Sequence, residues 1–163
     1  MKNLVIDFGN TLQKLAAFSG NELVMMKSFS GIRPGDLEAF ISQNGPFNSA
    51  ILSSVIDYTD KMNLVIQSRM QLLLMDHKLR FPFSIDYQTP ETLGKDRLAL
   101  VAGAVSRFPG ENALVISAGT AITYDFISAN RYLGGAISPG IKTRFKALHT
   151  FTDKLPFIDI DGP

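Results

Sequence analysis

The sequence predicts an α/β fold built on a repeated unit, and three observations carry that prediction. Residues 3–29 and 113–137 each hold three short apolar runs divided by turn residues. Each set is followed by a segment whose apolar side chains recur at helical spacing. Each set also has a glycine followed by a small polar residue at its first turn, Gly9-Asn10-Thr11 in one and Gly119-Thr120 in the other. The order is strand-strand-strand-helix twice over, and the second copy breaks off after its first helix. A first domain is therefore expected over residues 1–110, and the amino-terminal part of a second over 111–163.

The elements follow in order. Residues 3–8 (NLVIDF) are apolar with one carboxylate near the end, and Gly9-Asn10 breaks the run. Leu12–Phe18 and Glu22–Phe29 are strand candidates across Ser19-Gly20-Asn21, a strong hairpin signal. Pro34–Gln43 places Leu37, Phe40 and Ile41 on one helical face, with proline suited to the first turn. Ser49–Ile56 reads as a strand, Met62–Leu74 as a helix with Val65, Ile66 and Met70 on one side, and Phe81–Tyr87 as extended chain. Thr89–Gly94 is a loop before a helix bearing Leu98, Val101, Ala102 and Val105, which Pro109-Gly110 ends. Ala113–Ile116, Ala121–Ile127 and Tyr132–Ile137 form the second strand set. Ile141–His149 is a short helix expected to turn Ile141, Phe145 and Leu148 inward.

Composition narrows the function. The 163 residues are 45% apolar and 19% charged, as in an ordinary soluble protein, and no apolar run is long enough to span a bilayer. Residues 1–9 turn acidic too early for a signal peptide and read as a buried strand. There is no cysteine, which excludes disulfides and thiolate chemistry and fits a reducing, cytoplasmic setting. A formal charge of +1 without a basic stripe points away from nucleic acid and towards a small-molecule partner. There is no GxxxxGK[ST] loop and no GxGxxG after a strand, so P-loop and Rossmann readings are set aside. His77 and His149 lack acidic neighbours at ligand spacing. Met25, Met26, Met62, Met70 and Met75 read as core filling.

Three constellations could carry chemistry. In Asp7-Phe8-Gly9-Asn10-Thr11, the glycine lets backbone N–H groups approach phosphate oxygens, and Asp7 could hold Mg²⁺ against them. The same residues also suit an ordinary hairpin. Ser117-Ala118-Gly119-Thr120-Ala121 repeats the pattern in the second unit, followed on the next strand by Asp125, either a solvated residue or an ion ligand. Gly94-Lys95-Asp96-Arg97 opens a helix. There Asp96 could accept a proton from a substrate hydroxyl and Arg97 could grip a carboxylate or phosphate. The alternative is a helix cap beside a solvated arginine.

Taken in order, Asp7–Thr11, then Tyr87 and Thr92-Leu93-Gly94-Lys95-Asp96-Arg97, then Ser117–Asp125, then Gly134-Gly135-Ala136-Ile137-Ser138-Pro139-Gly140, the chain resembles the type III pantothenate kinases, also called the Bvg accessory factor family. The resemblance runs from the first strand to Leu155-Pro156. It implies the duplicated actin-like (ribonuclease H-like) fold, with the second unit truncated here, and nucleotide bound between two such units. It also implies transfer of the ATP γ-phosphate to the primary hydroxyl of pantothenate, the first step of coenzyme A biosynthesis, in a cytoplasmic homodimer.

By the same resemblance Asp7, Phe8, Gly9, Asn10, Thr11, Leu12, Gln13 and Lys14 match the ATP phosphate-binding stretch, and Thr120 a second ATP contact. Tyr87, Gly94, Lys95, Asp96 and Arg97 match the pantothenate site, with Asp96 as catalytic base. The family places an aspartate that binds K⁺ or NH₄⁺ where this chain has Ser117, so the monovalent-cation requirement is expected to be weaker, with Asp125 as a substitute ligand. Gly134–Gly140 reads as structural. Another small-molecule kinase of the superfamily, or a non-catalytic nucleotide-binding regulator of the same fold, are the alternatives.

Overall fold

A computed structural model describes residues 1–159. Two compact units are present, and they interleave in sequence: the first takes Met1–Leu79 and Glu91–Ala99, the second residues 80–90 and the chain from Leu100 onward. The division falls inside a helix, ahead of the boundary expected at Gly110, and residues 80–90 go with the second unit. The expected end of the second unit, at 160–163, lies outside the described residues.

In the first unit β1 (Lys2–Phe8), β2 (Gln13–Ser19) and β3 (Glu22–Phe29) form an antiparallel meander. Helix α1 (Pro34–Asn44) leads to β4 (Phe47–Ser54), which returns parallel to β1 on its other side. Helix α2 (Asp60–Gln67) leads to β5 (Gln71–Leu74), parallel to β4, giving the order β3-β2-β1-β4-β5. That order, a three-strand meander extended by parallel strands reached through helices, is the actin-like arrangement expected.

Strand periodicity decides what faces what. Leu4, Ile6 and Phe8 alternate inward and meet Leu37 and Phe40 of α1 and Ile66 of α2 in one core. Each such side chain contributes roughly 1.5–3 kcal/mol by its burial. Asn3, Val5 and Asp7 are thereby turned to the opposite face, and a bond from the Ser49 hydroxyl to the Asn3 side chain (3.1 Å) lies on that face. Pro34 occupies the first turn of α1, and the Asp36 carboxylate accepts from the Arg33 backbone N–H at 3.0 Å. Thr59 caps α2 by accepting from the Lys61 N–H.

The helix expected over Met62–Leu74 is not one element. It ends at Gln67, and Gln71–Leu74 is a strand. The open edge of β4 supplies a ladder for the Leu72-Leu73-Leu74 run, and a short apolar run reads equally as strand or helix by periodicity alone. Met62 and Met75 are core residues as expected, but Met25 and Met26 are about half exposed on β3, the edge of the sheet.

In the second unit β6 (Ser84–Ile85) pairs in parallel with β9 (Arg131–Pro139), which continues antiparallel to β8 (Ala121–Ser128) and β7 (Ala113–Ala118), in the order β6-β9-β8-β7. Ala129 and Asn130 turn the β8–β9 hairpin with positive φ (47° and 63°). Helix α3 (Lys95–Arg107) runs from one unit to the other, and a single 3₁₀ turn, Pro90–Thr92, precedes it. Helix α4 (Ile141–Thr150) follows β9, but Ile141 and Leu148, expected inward, are more than half exposed. The helical spacing was read correctly, but among the described residues no layer covers that face. No helix among the described residues is long and apolar enough to cross a membrane.

Candidate active site

Asp7 sits at the end of β1, opposite Lys14 of β2 and Ser53 of β4. The intervening turn depends on Gly9, where a Cβ would fall 2.7 Å from the Leu12 carbonyl oxygen. Any other residue would force the turn open. The Lys14 ammonium stands 3.9 Å from the Asp7 carboxylate, both partly solvated. Burial pushes the Asp7 carboxyl above its ordinary value, Lys14 pulls it down, and the charge of Asp96 pushes it up again. Asp7 and Asp96 are thus in electrostatic reach of one another within the first unit, although far apart in sequence.

Asp96 lies in the first turn of α3 and accepts the Arg97 backbone N–H at 2.9 Å. Gly94 permits this fold-back, since a Cβ there would fall 2.6 Å from the Asp96 Oδ1. The glycine of the Gly94-Lys95-Asp96-Arg97 motif thus leaves the space that the Asp96 carboxylate occupies in this arrangement. Arg97 is not the solvated arginine of the alternative reading. It is only 6% exposed, beside the fully buried Leu98. Lys95 is exposed at the helix start.

In the second unit the Gly119-Thr120 turn is tied to the head of α4. The Thr120 carbonyl accepts the Gly140 N–H at 2.9 Å and the Thr143 hydroxyl at 2.8 Å. Gly140 has no room for a side chain, because a Cβ would lie 2.0 Å from the Gly119 oxygen. The Thr120 residue itself remains exposed. Strand register puts Ser117, Thr123 and Asp125 on one face of the β7–β8 pair, with Thr123 directly opposite Ser117 and Asp125 on the diagonal. Asp125 is not solvated: it is fully buried and accepts the Tyr132 hydroxyl at 2.6 Å. Tyr132 is also fully buried and meets Phe83 edge-on. The Asp125–Tyr132 bond escaped sequence reading because a bulge between Phe126 and Ile127 shifts the hairpin register.

Tyr87 lies two residues beyond the end of β6 and belongs to the second unit, whereas Gly94–Arg97 belong to the first. Among the described residues no group of three or more His, Asp or Glu side chains forms a metal cluster.

The sequence profile of the type III pantothenate kinases matches residues 3–163. The chain belongs to the type III pantothenate kinase family. It is 45% identical over 160 residues to the type III pantothenate kinase of Christiangramia forsetii, covering 96% of this chain and 65% of that one. It is 40% identical over 162 residues to that of Flavobacterium johnsoniae, covering 98% and 66%. The chain thus spans just under two thirds of the length of these type III pantothenate kinases. A crystal structure of a Baf family protein from Campylobacter jejuni superposes with a TM-score of 0.56 at 24% identity, over 98% of this chain and 67% of that one, a likeness of fold.

Proposed function

We propose that this protein works as a pantothenate kinase, transferring the γ-phosphate of ATP to the primary hydroxyl of pantothenate. The observation that carries the reading is the placement, within one unit, of the Asp7–Lys14 turn and the Gly94–Arg97 helix head, with the charge of Asp96 felt at the Asp7 carboxyl. A carboxylate beside a glycine-dependent turn suits a metal-chelated phosphate, and a second carboxylate nearby suits an attacking hydroxyl.

In this reading Phe8 to Gln13 offer backbone N–H groups and short polar side chains to the phosphates, and the Lys14 ammonium balances their charge. Thr120, exposed on its tethered turn, is a further nucleotide contact. Asp96 accepts the proton of the pantothenate hydroxyl, held for that purpose by its bond from the Arg97 N–H. Arg97 is the partner proposed for the pantothenate carboxylate, and Tyr87 lines the same substrate.

The donor set fits Mg²⁺. That ion takes one or two carboxylates together with substrate phosphates rather than an all-protein cage, so a three-carboxylate cluster is not required. Asp7 would hold it, and its chemistry there is neutralisation of charge on the phosphate oxygens. K⁺ or NH₄⁺ at Ser117 belongs to the same reading in weakened form. The serine offers a neutral oxygen, and Asp125 is engaged by Tyr132 rather than held ready as a replacement. A cytoplasmic homodimer completes the proposal.

A coupled assay of ATP consumption with and without pantothenate tests it directly. Pantothenate-dependent turnover is the expected outcome. Nucleotide binding without turnover on pantothenate would replace the kinase by a regulator of the same fold.

A further inference from the structure

We propose that Gly134 is a positioning residue for Tyr87, leaving room for the edge of the tyrosine ring against bare backbone so that the rest of the ring can meet the substrate. The inference rests on the pantothenate reading of Tyr87 and goes one residue deeper. Tyr87 is delivered by a very short device. β6 has two residues, paired in parallel as Ser84 with Arg131 and Ile85 with Tyr132 of β9. The Asp86 N–H then donates to the Tyr132 carbonyl at 2.8 Å, and the Arg131 guanidinium clasps the Asp86 carboxylate, with Nε at 3.0 Å. The next residue is Tyr87, whose ring edge abuts Gly134.

A Cβ at Gly134 would lie 2.6 Å from the Tyr87 Cδ2 and 2.8 Å from its Cε2, closer than carbon atoms can approach. Gly134 also has φ of +93°, on the side of the bulge where the β8–β9 register shifts. Glycine could therefore be needed for the bulge, for the ring, or for both. The ring contact is the one that bears on function, since Tyr87 remains 36% exposed. A side chain at 134 would push the ring off β9 and into the space the substrate uses.

The test is a double-mutant cycle read by calorimetric titration of pantothenate into wild type, Gly134→Ala, Tyr87→Ala and the double variant. Displacement of a substrate-positioning group by about 1 Å costs on the order of 10²-fold. Gly134→Ala is expected to weaken pantothenate about 10-fold to 100-fold while leaving nucleotide affinity unchanged. In the Tyr87→Ala background the same substitution should cost nothing further, because the ring it displaces is gone. Backbone strain from the positive φ is the same in both backgrounds, so an equal loss in each would overturn the proposal, as would unchanged affinity in Gly134→Ala. Should Gly134→Ala fail to fold, Asp86→Ala releases the Tyr87 tether from the exposed side. It should weaken pantothenate several-fold, and an unchanged affinity overturns the inference equally. A wild-type protein that binds nucleotide but no pantothenate would sink the substrate reading itself.

Discussion

The two units begin with the same meander and end differently. In the first, β4 closes the free side of β1, and α1 and α2 cover one face, so that Leu4, Ile6 and Phe8 are at most 1% exposed. In the second, β7 forms the sheet edge among the described residues, and Leu114, Ile116 and Ile137 are about half exposed or more. The chemistry divides in the same way. The first turn offers a carboxylate and an ammonium, while the second offers a hydroxyl on a loop fastened by its own backbone. A three-strand meander is thus a frame whose stability comes from what covers it and whose chemistry comes from what its first turn carries.

The sharpest way to break this contrast is Asp96→Asn. Loss of the proposed general base should lower kcat by about 10²–10⁴-fold with little change in KM for pantothenate. Thr120→Ala should act chiefly on KM for ATP. Steady-state kinetics on both variants decide the matter, and a near-normal kcat for Asp96→Asn would reduce Asp96 to a helix cap.

Stability should split along the same line. Leu4→Ala in the first core is expected to cost about 2–5 kcal/mol. Ile116→Ala on the half-exposed strand should stay within about 0.5 kcal/mol. Urea unfolding of the two variants measures this, and comparable losses would show that β7 is covered in solution.

A smaller effect is expected from Asp7→Asn. The folded-state pKa of Asp7 is raised, chiefly by burial. The folded protein therefore holds this proton more tightly than the unfolded chain, and stability falls as pH rises from the ordinary carboxylate value through the raised one. Removing the charge should raise the Tm at neutral pH and leave it little changed in acid, where Asp7 is already protonated. A melting series from acid to neutral pH reads the sign, and a lowered Tm at neutral pH would mean that the Lys14 attraction outweighs burial.

The least effect is expected from Ser117→Asp, which should strengthen activation by K⁺ at constant ionic strength. Strong, saturable activation of the wild type, unchanged in the variant, would place any cation site away from position 117.

Much of this was legible in the sequence because it is local. Gly20 and Asn21 sit at a two-residue hairpin, Pro34 at a first helical turn, and alternation in β1 put Asp7 on the face away from the core. What the sequence hid depends on distant partners. Gln71–Leu74 became a strand only because β4 had a free edge, and no local signal told helix from strand there. Asp125 read as either a solvated residue or an ion ligand, and its buried bond with Tyr132 depends on a bulge the sequence did not show. Gly140, read as structural, proves to be so, since a Cβ there would strike the Gly119 carbonyl oxygen, a partner the sequence did not name. The electrostatic meeting of Asp7 with Asp96 could be inferred only from family resemblance, since nothing near either residue announces the other.

The edge strand β3 has a chemical consequence of its own. Met25 and Met26 are about half exposed, whereas Met62 and Met75 are 2% and 7% exposed, and the chain has no cysteine to compete for an oxidant. Mild peroxide should therefore convert the edge methionines to sulfoxides well before the buried pair. The order in which those masses appear is a built-in footprint: early modification of Met62 would report opening of the first core, and protection of Met25 and Met26 would report that something has docked along that edge.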